Sequence, residues 1–286
     1  MTATLDRPPR RRRGMAPRQE PIARRPVAEA PTKRRLRFFP ILLVLAGILV
    51  LLYPVAATQY NNQIQQEMAH KYRNDVQAAA PADLSAELAD AQAYNDSLHG
   101  GIPILDPWLL DVARDPGSDE YKRYASQLDV FDVMARVKVP SVGIDLPVRH
   151  GTDEDAIANG AGHLYGTSLP IGGLGTHSVL TSHTGMPNAT LFDPLIDVKE
   201  GDLLLVEVLG ETLAYEVDQI KIVLPNEISD LSSEPGHDYL TVFTCTPYAV
   251  NTHRLLVRGE RVPYTPEIQQ ISEESDSGIQ MQPWMW

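Results

Sequence analysis

The apolar and polar positions of this chain change pattern twice along its length. Residues 38–57 are an apolar run without a single charge, about as long as a helix needs to cross a ~30 Å hydrocarbon layer. Residues 58–100 are polar and rich in Ala, Gln and Glu, and they predict two helices, over residues 60–79 and 82–97. The first hundred residues therefore predict a transmembrane helix followed by a helical stalk.

Beyond residue 131, short runs of β-branched and aromatic residues alternate with turn-forming residues. Strands are predicted over residues 134–139, 144–148, 178–181, 202–209, 212–224, 239–244 and 255–258, with a short helix over residues 152–159. Gly210 and Glu211 are expected to form a two-residue hairpin turn. Short strands at this spacing predict a mainly β fold, a closed or nearly closed barrel over residues 131–263.

Three segments have no strong periodicity. Residues 1–37 are rich in Arg and Pro, so we expect a disordered basic tail that cannot bury a core. Residues 101–130 connect the stalk to the predicted barrel, and residues 264–286 are expected to form an acidic C-terminal tail. The sequence therefore predicts one globular domain with appendages on both sides.

The net charge of −12 over 286 residues is distributed unequally. Residues 1–37 contain 12 basic and three acidic residues, a net charge of +9, so the remaining chain has a net charge of −21. An acidic globular part argues against nucleic-acid binding. Basic residues before the span favour a cytoplasmic N-terminus and an extracellular barrel. A cleaved signal peptide is the alternative, which Ala56 and Ala57 leave open.

The single cysteine, Cys245, lies between two predicted strands. It follows the strand over residues 239–244, and Arg254 precedes the strand over residues 255–258, so antiparallel pairing would bring the two side chains together. A cation beside a thiol stabilises the thiolate, and a guanidinium also donates hydrogen bonds to an oxyanion. The pair therefore indicates acyl transfer. The alternative is that a lone cysteine on a strand is a small, inert core residue.

Histidines supply the remaining candidate chemistry. His183 follows the predicted strand over residues 178–181 and precedes a Thr-Gly-Met-Pro turn, and the nearby His177 is its rival. A zinc site could draw on Cys245 and on four histidines, namely His163, His177, His183 and His253. Their spacings lack the clustering that structural zinc favours. The sequence also has no glycine-rich phosphate-binding loop, so no metal and no nucleotide cofactor is predicted.

One stretch of the chain resembles a known family. It runs from Thr241 to Gly259 and reads Thr-Val-Phe-Thr-Cys-Thr-Pro-Tyr-Ala-Val-Asn-Thr-His-Arg-Leu-Leu-Val-Arg-Gly. This stretch resembles the active-site signature of the sortases, specifically the pilus-building class C group. The resemblance implies that Cys245 is the nucleophile and that Arg254 holds the substrate peptide or stabilises the oxyanion. The end of the predicted strand over residues 178–181 continues as Ser182-His183-Thr184-Gly185, which resembles the sortase segment Gly-His-(Arg/Thr)-Gly and implies that His183 is the catalytic histidine. The family commonly has Gly before this histidine, where this chain has Ser.

A further resemblance lies within residues 101–130. Asp106, Pro107 and Trp108 combine a carboxylate, a fixed turn and a large aromatic ring. Class C sortases have a similar Asp-Pro-aromatic lid before the barrel. By this resemblance Asp106 and Trp108 would occlude the cysteine and the arginine.

The family resemblance implies a sortase-type closed β-barrel with short helices, whose chemistry requires no cofactor. It implies a membrane-anchored cysteine transpeptidase that cleaves a Leu-Pro-x-Thr-Gly-type sorting signal between Thr and Gly through a thioacyl intermediate. The partners would be pilin or surface proteins with that signal, and a Lys amine of another pilin would accept the acyl group. Two alternatives stay open: a housekeeping sortase that attaches proteins to a cell-wall peptide, and a non-catalytic membrane-tethered binding domain.

Overall fold

The structure, a computed structural model, describes residues 38–98, 117–227 and 229–276. The predicted lid residues Asp106, Pro107 and Trp108 lie outside this described part of the chain, as do the predicted basic tail and the last ten residues. The chain divides into two units, residues 1–48 and residues 49–286. The fold below is that of the second unit, apart from the beginning of the first helix.

The helices of the described residues are α1 (Phe39–Ala78), α2 (Pro81–Ser97), α3 (Asp119–Ala125), α4 (Glu154–Ala158) and α5 (Pro266–Asp276). Helix α1 joins the apolar run and the first predicted stalk helix without a break. By length and composition it could cross a membrane, with a mean hydropathy of 2.5 over an 18-residue window. Side chains cap two helices, because Ser118 accepts a hydrogen bond from the Tyr121 backbone and Asp153 from the Ala156 backbone.

The strands are β1 (Ala135–Val139), β2 (Ile144–His150), β3 (Ala161–His163), β4 (Thr176–Thr181), β5 (Leu203–Val208), β6 (Glu211–Val223), β7 (Asp238–Thr246) and β8 (His253–Val262). They close into a barrel in the order β1-β2-β3-β4-β7-β8-β6-β5. The β2–β3 and β4–β7 pairs are parallel and the other pairs are antiparallel. The predicted closed β-barrel is confirmed.

Two details differ from the sequence-based expectations for the barrel. Strand β3 has only three residues, too few to produce a recognisable alternation. The β5–β6 hairpin pairs Val208 with Glu211, so its turn is Leu209–Gly210 and the predicted Gly210–Glu211 turn is wrong by one residue. Both turn residues have positive φ, 46° and 89°, the combination that a type I′ turn requires.

The barrel is filled by alternate residues of its strands, and the opposite side chains lie outside. On β7 and β8 the interior residues include Leu240, Val242, Leu255 and Val257. A separate cluster covers the outer face of β4, β7 and β8, and its buried members are Leu164, Val179, Leu231, Phe243 and Leu256. Because side chains alternate along a strand, Cys245, two positions from Phe243, and Arg254, two positions from Leu256, also belong to this outer face.

The stalk helices pack directly on the barrel. Tyr72 and Val76 of α1 form a small cluster with Val133, and Tyr94 of α2 joins the main core. The Tyr72 hydroxyl donates to the Met134 carbonyl at 3.2 Å and accepts from the backbone of the β5–β6 turn at 2.8 Å. Helices α1 and α2 are therefore part of the globular body in addition to connecting it with the apolar span.

Helix α5 (Pro266–Asp276) lies within residues 264–286, where the sequence predicted an acidic tail. Its last residue, Asp276, accepts hydrogen bonds from Arg73 of α1 and from two cations of β1, Arg136 and Lys138, at 2.7–2.9 Å. Arg136 and Lys138 are almost fully buried. Asp145 and Glu207 complete their neutralisation, so an ionic network joins α1 and α5 to the barrel.

Candidate active site

Cys245 and Arg254 lie directly opposite each other on β7 and β8. Each is the second residue from the end of its strand that adjoins the connecting loop, and both belong to the outer face of the barrel. This is the juxtaposition that antiparallel pairing predicts from the sequence. The thiol is half-buried, so it is sheltered by its neighbours while remaining at the surface of the barrel.

His183 lies at the same end of the neighbouring strand. The parallel β4–β7 pairing ends with Thr181 beside Phe243, so two further residues bring the chain from Thr181 to His183 and from Phe243 to Cys245. A hydrogen bond of 2.8 Å from Thr244 Oγ1 to the Ser182 carbonyl holds the two segments together just before Cys245 and His183. The imidazole, the thiol and the guanidinium therefore come from three adjacent strands, at one end of the barrel.

The guanidinium of Arg254 is held by the backbone of the loop before it. Its side chain is buried, and Nη1 donates to the carbonyls of Asn251 and His253 at 3.2 and 3.1 Å. The charge of a buried, fixed cation acts strongly on the neighbouring thiol, because little solvent screens it. This arrangement favours a thiolate at Cys245 and a negatively charged oxygen formed beside it.

The imidazole of His183 contacts a carboxylate that the sequence analysis did not single out. Its Nε2 lies 3.2 Å from Glu154 Oε2, on the first turn of α4. The carboxylate side chain is 74% exposed, so solvent weakens the attraction between the two groups. Glu154 lies at the beginning of the helix predicted over residues 152–159, but nothing in the sequence connects it with a histidine 29 residues away.

Ser182 has a structural role next to this histidine. Its hydroxyl is fully buried and donates to the Gly160 carbonyl at 2.6 Å. This bond joins the end of β4 to the segment between α4 and β3. The serine that replaces the family's usual glycine therefore holds the chain immediately before His183.

The rival histidine, His177, lies at the other end of the same face. It pairs with Tyr239 in the β4–β7 register, six residues before Cys245, which corresponds to roughly 20 Å along a strand. Its Nε2 lies 2.7 Å from Thr241 Oγ1 and its Nδ1 lies 3.0 Å from the Ser232 carbonyl. Burial lowers the pKa of His177 to about 4, so this imidazole is neutral at physiological pH.

The other two histidines considered as zinc ligands, His163 and His253, each have contacts of their own. His163 is fully buried beneath Tyr124, and burial lowers its pKa to about 4. His253 has Thr252 Oγ1 at 2.9 Å from its Nδ1. Within residues 38–98, 117–227 and 229–276, no three His, Cys, Asp or Glu side chains form a metal-binding group.

Comparisons with known proteins match the part of the chain that forms the barrel. A family model described as the Sortase domain matches residues 137–262. Sortase C-1 from Actinomyces oris is 50% identical in sequence, with a TM-score of 0.60, and the match covers 63% of this chain and 99% of that chain. A lid mutant of sortase A from Corynebacterium diphtheriae is 45% identical, with a TM-score of 0.61, and 67% and 100% of the two chains are covered.

The pilus-related sortase C of Group B Streptococcus is 44% identical, with a TM-score of 0.61 and coverage of 68% and 96% of the two chains. The curated relatives match over a shorter region. Sortase A from Streptococcus agalactiae is 28% identical over 132 residues, which are 45% of this chain and 52% of the relative. The chain thus spans about half the length of that relative.

The closed barrel, the family model and the match to nearly the full length of solved sortases identify the family. The chain belongs to the sortase family of cysteine transpeptidases, and class C sortases are among the solved structures that it resembles.

Proposed function

We propose that this protein is a membrane-anchored cysteine transpeptidase that joins pilin subunits covalently. The observation that carries the proposal is the alignment of Cys245, His183 and Arg254 at the ends of three adjacent strands. These are the groups that acyl transfer through a thioester needs: a nucleophile, an acid and base, and a donor to an oxyanion.

In the first half of the proposed reaction, the Cys245 thiolate attacks the Thr carbonyl of a Leu-Pro-x-Thr-Gly-type sorting signal. The carbonyl oxygen becomes an oxyanion near the Arg254 guanidinium. The Thr–Gly C–N bond then breaks, His183 gives a proton to the departing Gly amine, and a thioester of Thr with Cys245 remains.

In the second half, a Lys amine of another pilin attacks the thioester. His183 takes a proton from this amine, the C–S bond breaks, and the thiolate leaves as an amide bond forms between Thr and Lys. Water in place of the amine would give hydrolysis. The pilin role is supported by similarity to the pilus-related sortase C of Group B Streptococcus; a housekeeping sortase would use a cell-wall peptide amine as the acceptor.

We also propose that Asp106, Pro107 and Trp108 form a lid over the site. The support is their Asp-Pro-aromatic sequence and the similarity to a sortase of which a lid mutant has been solved. The Asp106 carboxylate would pair with the cationic side of the site, and the Trp108 ring would cover its apolar outer face.

The proposed orientation has the N-terminus in the cytoplasm and the barrel outside the cell. Helix α1 is apolar and long enough to cross a membrane, and the preceding residues have a net charge of +9. Positive charge next to a span favours the cytoplasmic side. A barrel outside the cell would have access to pilin subunits after their export.

The proposed chemistry predicts distinct results for the three site residues. Full-length protein in detergent micelles would be incubated with a sorting-signal peptide and candidate pilins. Mass spectrometry would then detect the Cys245 thioester and a Thr–Lys linkage. Cys245→Ala should form neither product, because no nucleophile remains. His183→Ala and Arg254→Ala should each lower turnover by about a hundredfold, since proton transfer and oxyanion stabilisation each contribute factors of this size.

The matched control is His237→Ala, which removes a partly exposed histidine at the opposite end of the same face and should leave turnover unchanged.

The proposed lid has its own test. Trp108→Ala should make Cys245 react faster with a thiol reagent, because the ring would no longer cover the thiol. Transpeptidation by Cys245→Ala would refute the proposed chemistry. A cell-wall peptide as the only productive acceptor would replace the pilin role with the housekeeping role.

A further inference from the structure

The loop that follows His183 is closed at its base by hydrogen bonds. The Phe192 backbone donates to the His183 carbonyl at 3.1 Å, which brings the two ends of the loop together. Asp193 Oδ1 accepts from Thr184 Oγ1 and from the Gly185 backbone, at 2.8 and 2.6 Å. His183 therefore belongs to the closed end of a compact loop, and a movement of this loop changes the position of the histidine.

The same loop lies against the loop that joins Cys245 and Arg254. A Cβ atom on Gly185 would lie 3.3 Å from the Ala249 backbone nitrogen and 3.8 Å from the Tyr248 ring. Gly185 has a φ of 76°, where a larger residue is strained. The His183 loop thus adjoins the loop whose later residues, Asn251 and His253, hold Arg254.

Two asparagines of α1 hold the outer part of this loop. Asn62 Nδ2 donates to Thr190 Oγ1 at 2.7 Å, and Asn62 Oδ1 accepts from the Thr190 backbone at 3.0 Å. Asn61 Nδ2 donates to the Asn188 carbonyl at 2.8 Å. The nitrogen and the oxygen of the Asn62 side-chain amide therefore both bind one residue, Thr190, which lies 128 positions away in sequence.

We infer that Asn62, on the helix that continues from the apolar span, is a positioning residue for His183. It holds the loop between His183 and Phe192 against α1, so that the imidazole stays beside the Cys245 thiol. Asn62 acts through the loop and does not contact the reacting atoms. Its expected effect on turnover rests on the proposed transpeptidase function, whereas its effect on the loop does not.

The reason for a kinetic effect is geometric. Proton transfer needs the imidazole within hydrogen-bond reach of the leaving amine, and a displacement of about 1 Å from the productive position can lower a rate by as much as about a hundredfold. The exposed Glu154 carboxylate is a weak restraint on the ring. The bidentate bond from Asn62 to Thr190 is the stronger external restraint on the loop.

The test uses full-length protein in detergent micelles and the variants Asn62→Ala, Asn62→Asp, Gln63→Ala and Tyr72→Phe. Asn62→Ala should lower kcat for sorting-signal peptide cleavage about tenfold, with KM changed by less than twofold. Asn62→Asp should restore most of kcat, because a carboxylate accepts from both the Thr190 backbone and its hydroxyl. Amide hydrogen exchange of residues 184–192 should accelerate in Asn62→Ala and stay slow in Asn62→Asp.

Two controls separate positioning from stability. Gln63→Ala removes an exposed bond to Glu67 on the same helix and should change neither kcat nor loop exchange. Tyr72→Phe removes hydrogen bonds between α1 and the barrel away from the loop; it should lower the unfolding temperature and preserve kcat.

Three outcomes would overturn the inference: an unchanged kcat in Asn62→Ala, unchanged loop exchange in that variant, or an equal loss of kcat in Tyr72→Phe. If the wild-type protein cleaves no sorting-signal peptide, the proposed function fails. Faster loop exchange in Asn62→Ala would even then support the role of Asn62 in holding the loop.

Discussion

Two buried serines, one within β4 and one just after it, show how much a single hydroxyl depends on its partner. Ser182 donates to the Gly160 carbonyl at 2.6 Å. The hydroxyl of Ser178, on β4, has no hydrogen-bond partner among the described residues. Removing a satisfied buried hydroxyl leaves its former partner unpaired, whereas removing an unsatisfied one takes away a desolvation penalty.

This contrast predicts opposite results for two alanine variants. Ser182→Ala should lower the free energy of unfolding by about 1–2 kcal/mol, because the Gly160 carbonyl loses its donor in a dry site. Ser178→Ala should leave the free energy of unfolding unchanged or raise it slightly. Urea denaturation of both variants and the wild type in the same detergent would measure the difference, and a larger loss in Ser178→Ala would contradict the assignment.

The site residues differ in how far their positions follow from the sequence. Cys245 and Arg254 could be placed together because consecutive strands with a short loop pair antiparallel. His183 reaches them through parallel pairing across 62 positions, and its identification came from the family resemblance. The roles of Glu154 and Asn62 do not follow from the sequence, because no sequence pattern indicates the hydrogen-bond partner of an exposed carboxylate or of an amide on a polar helix.

Among the elements, α5 shows how charge alone can mislead. Its acidic sequence was interpreted as a tail, but Asp276 accepts hydrogen bonds from Arg73, Arg136 and Lys138. Burial opposes ionisation, yet hydrogen bonds and the neighbouring cations keep the pKa of Asp276 below its ordinary value. The cations that dock the helix lie up to 203 positions away in sequence, so no local pattern could predict the docking.

The ionic network predicts a large effect for one carboxylate of α5. Asp276→Ala should lower the free energy of unfolding by about 3 kcal/mol, because two buried cations lose a partner while Asp145 and Glu207 remain. Glu273→Ala is the matched control, since Glu273 is exposed on the same helix and accepts from Gln269. Denaturation midpoints would measure both changes. An equal effect of the two substitutions would show that the network adds no stability.

At the scale of the whole molecule, buried histidines link stability to pH. The pKa values of His163 and His177 are lowered by burial to about 4, against about 6.5 in an unfolded chain. The pKa of His150 is also lowered, mainly by burial. Between about pH 4 and pH 6.5, His163 and His177 are neutral in the folded protein and protonated in the unfolded chain, so the unfolded state binds more protons in this range.

The folded state should therefore be most stable above about pH 6.5 and lose stability as the pH falls toward 4. His163 and His177 should each contribute a loss of about 3 kcal/mol over this range. Urea denaturation at half-unit pH steps would measure the slope, and His163→Gln should remove about half of the contribution of this pair. A stability that stays constant from pH 7 to pH 5 would contradict the prediction.

The strand order has a consequence for when the three site residues first meet. Strand β8 fits between β7 and β6 and is the last strand among the described residues, so the barrel cannot close until residues 253–262 have been synthesised. Contacts between distant parts of a chain also form slowly. A partly made polypeptide therefore has its cysteine without the opposing arginine, and the reactive arrangement arises only as folding is completed.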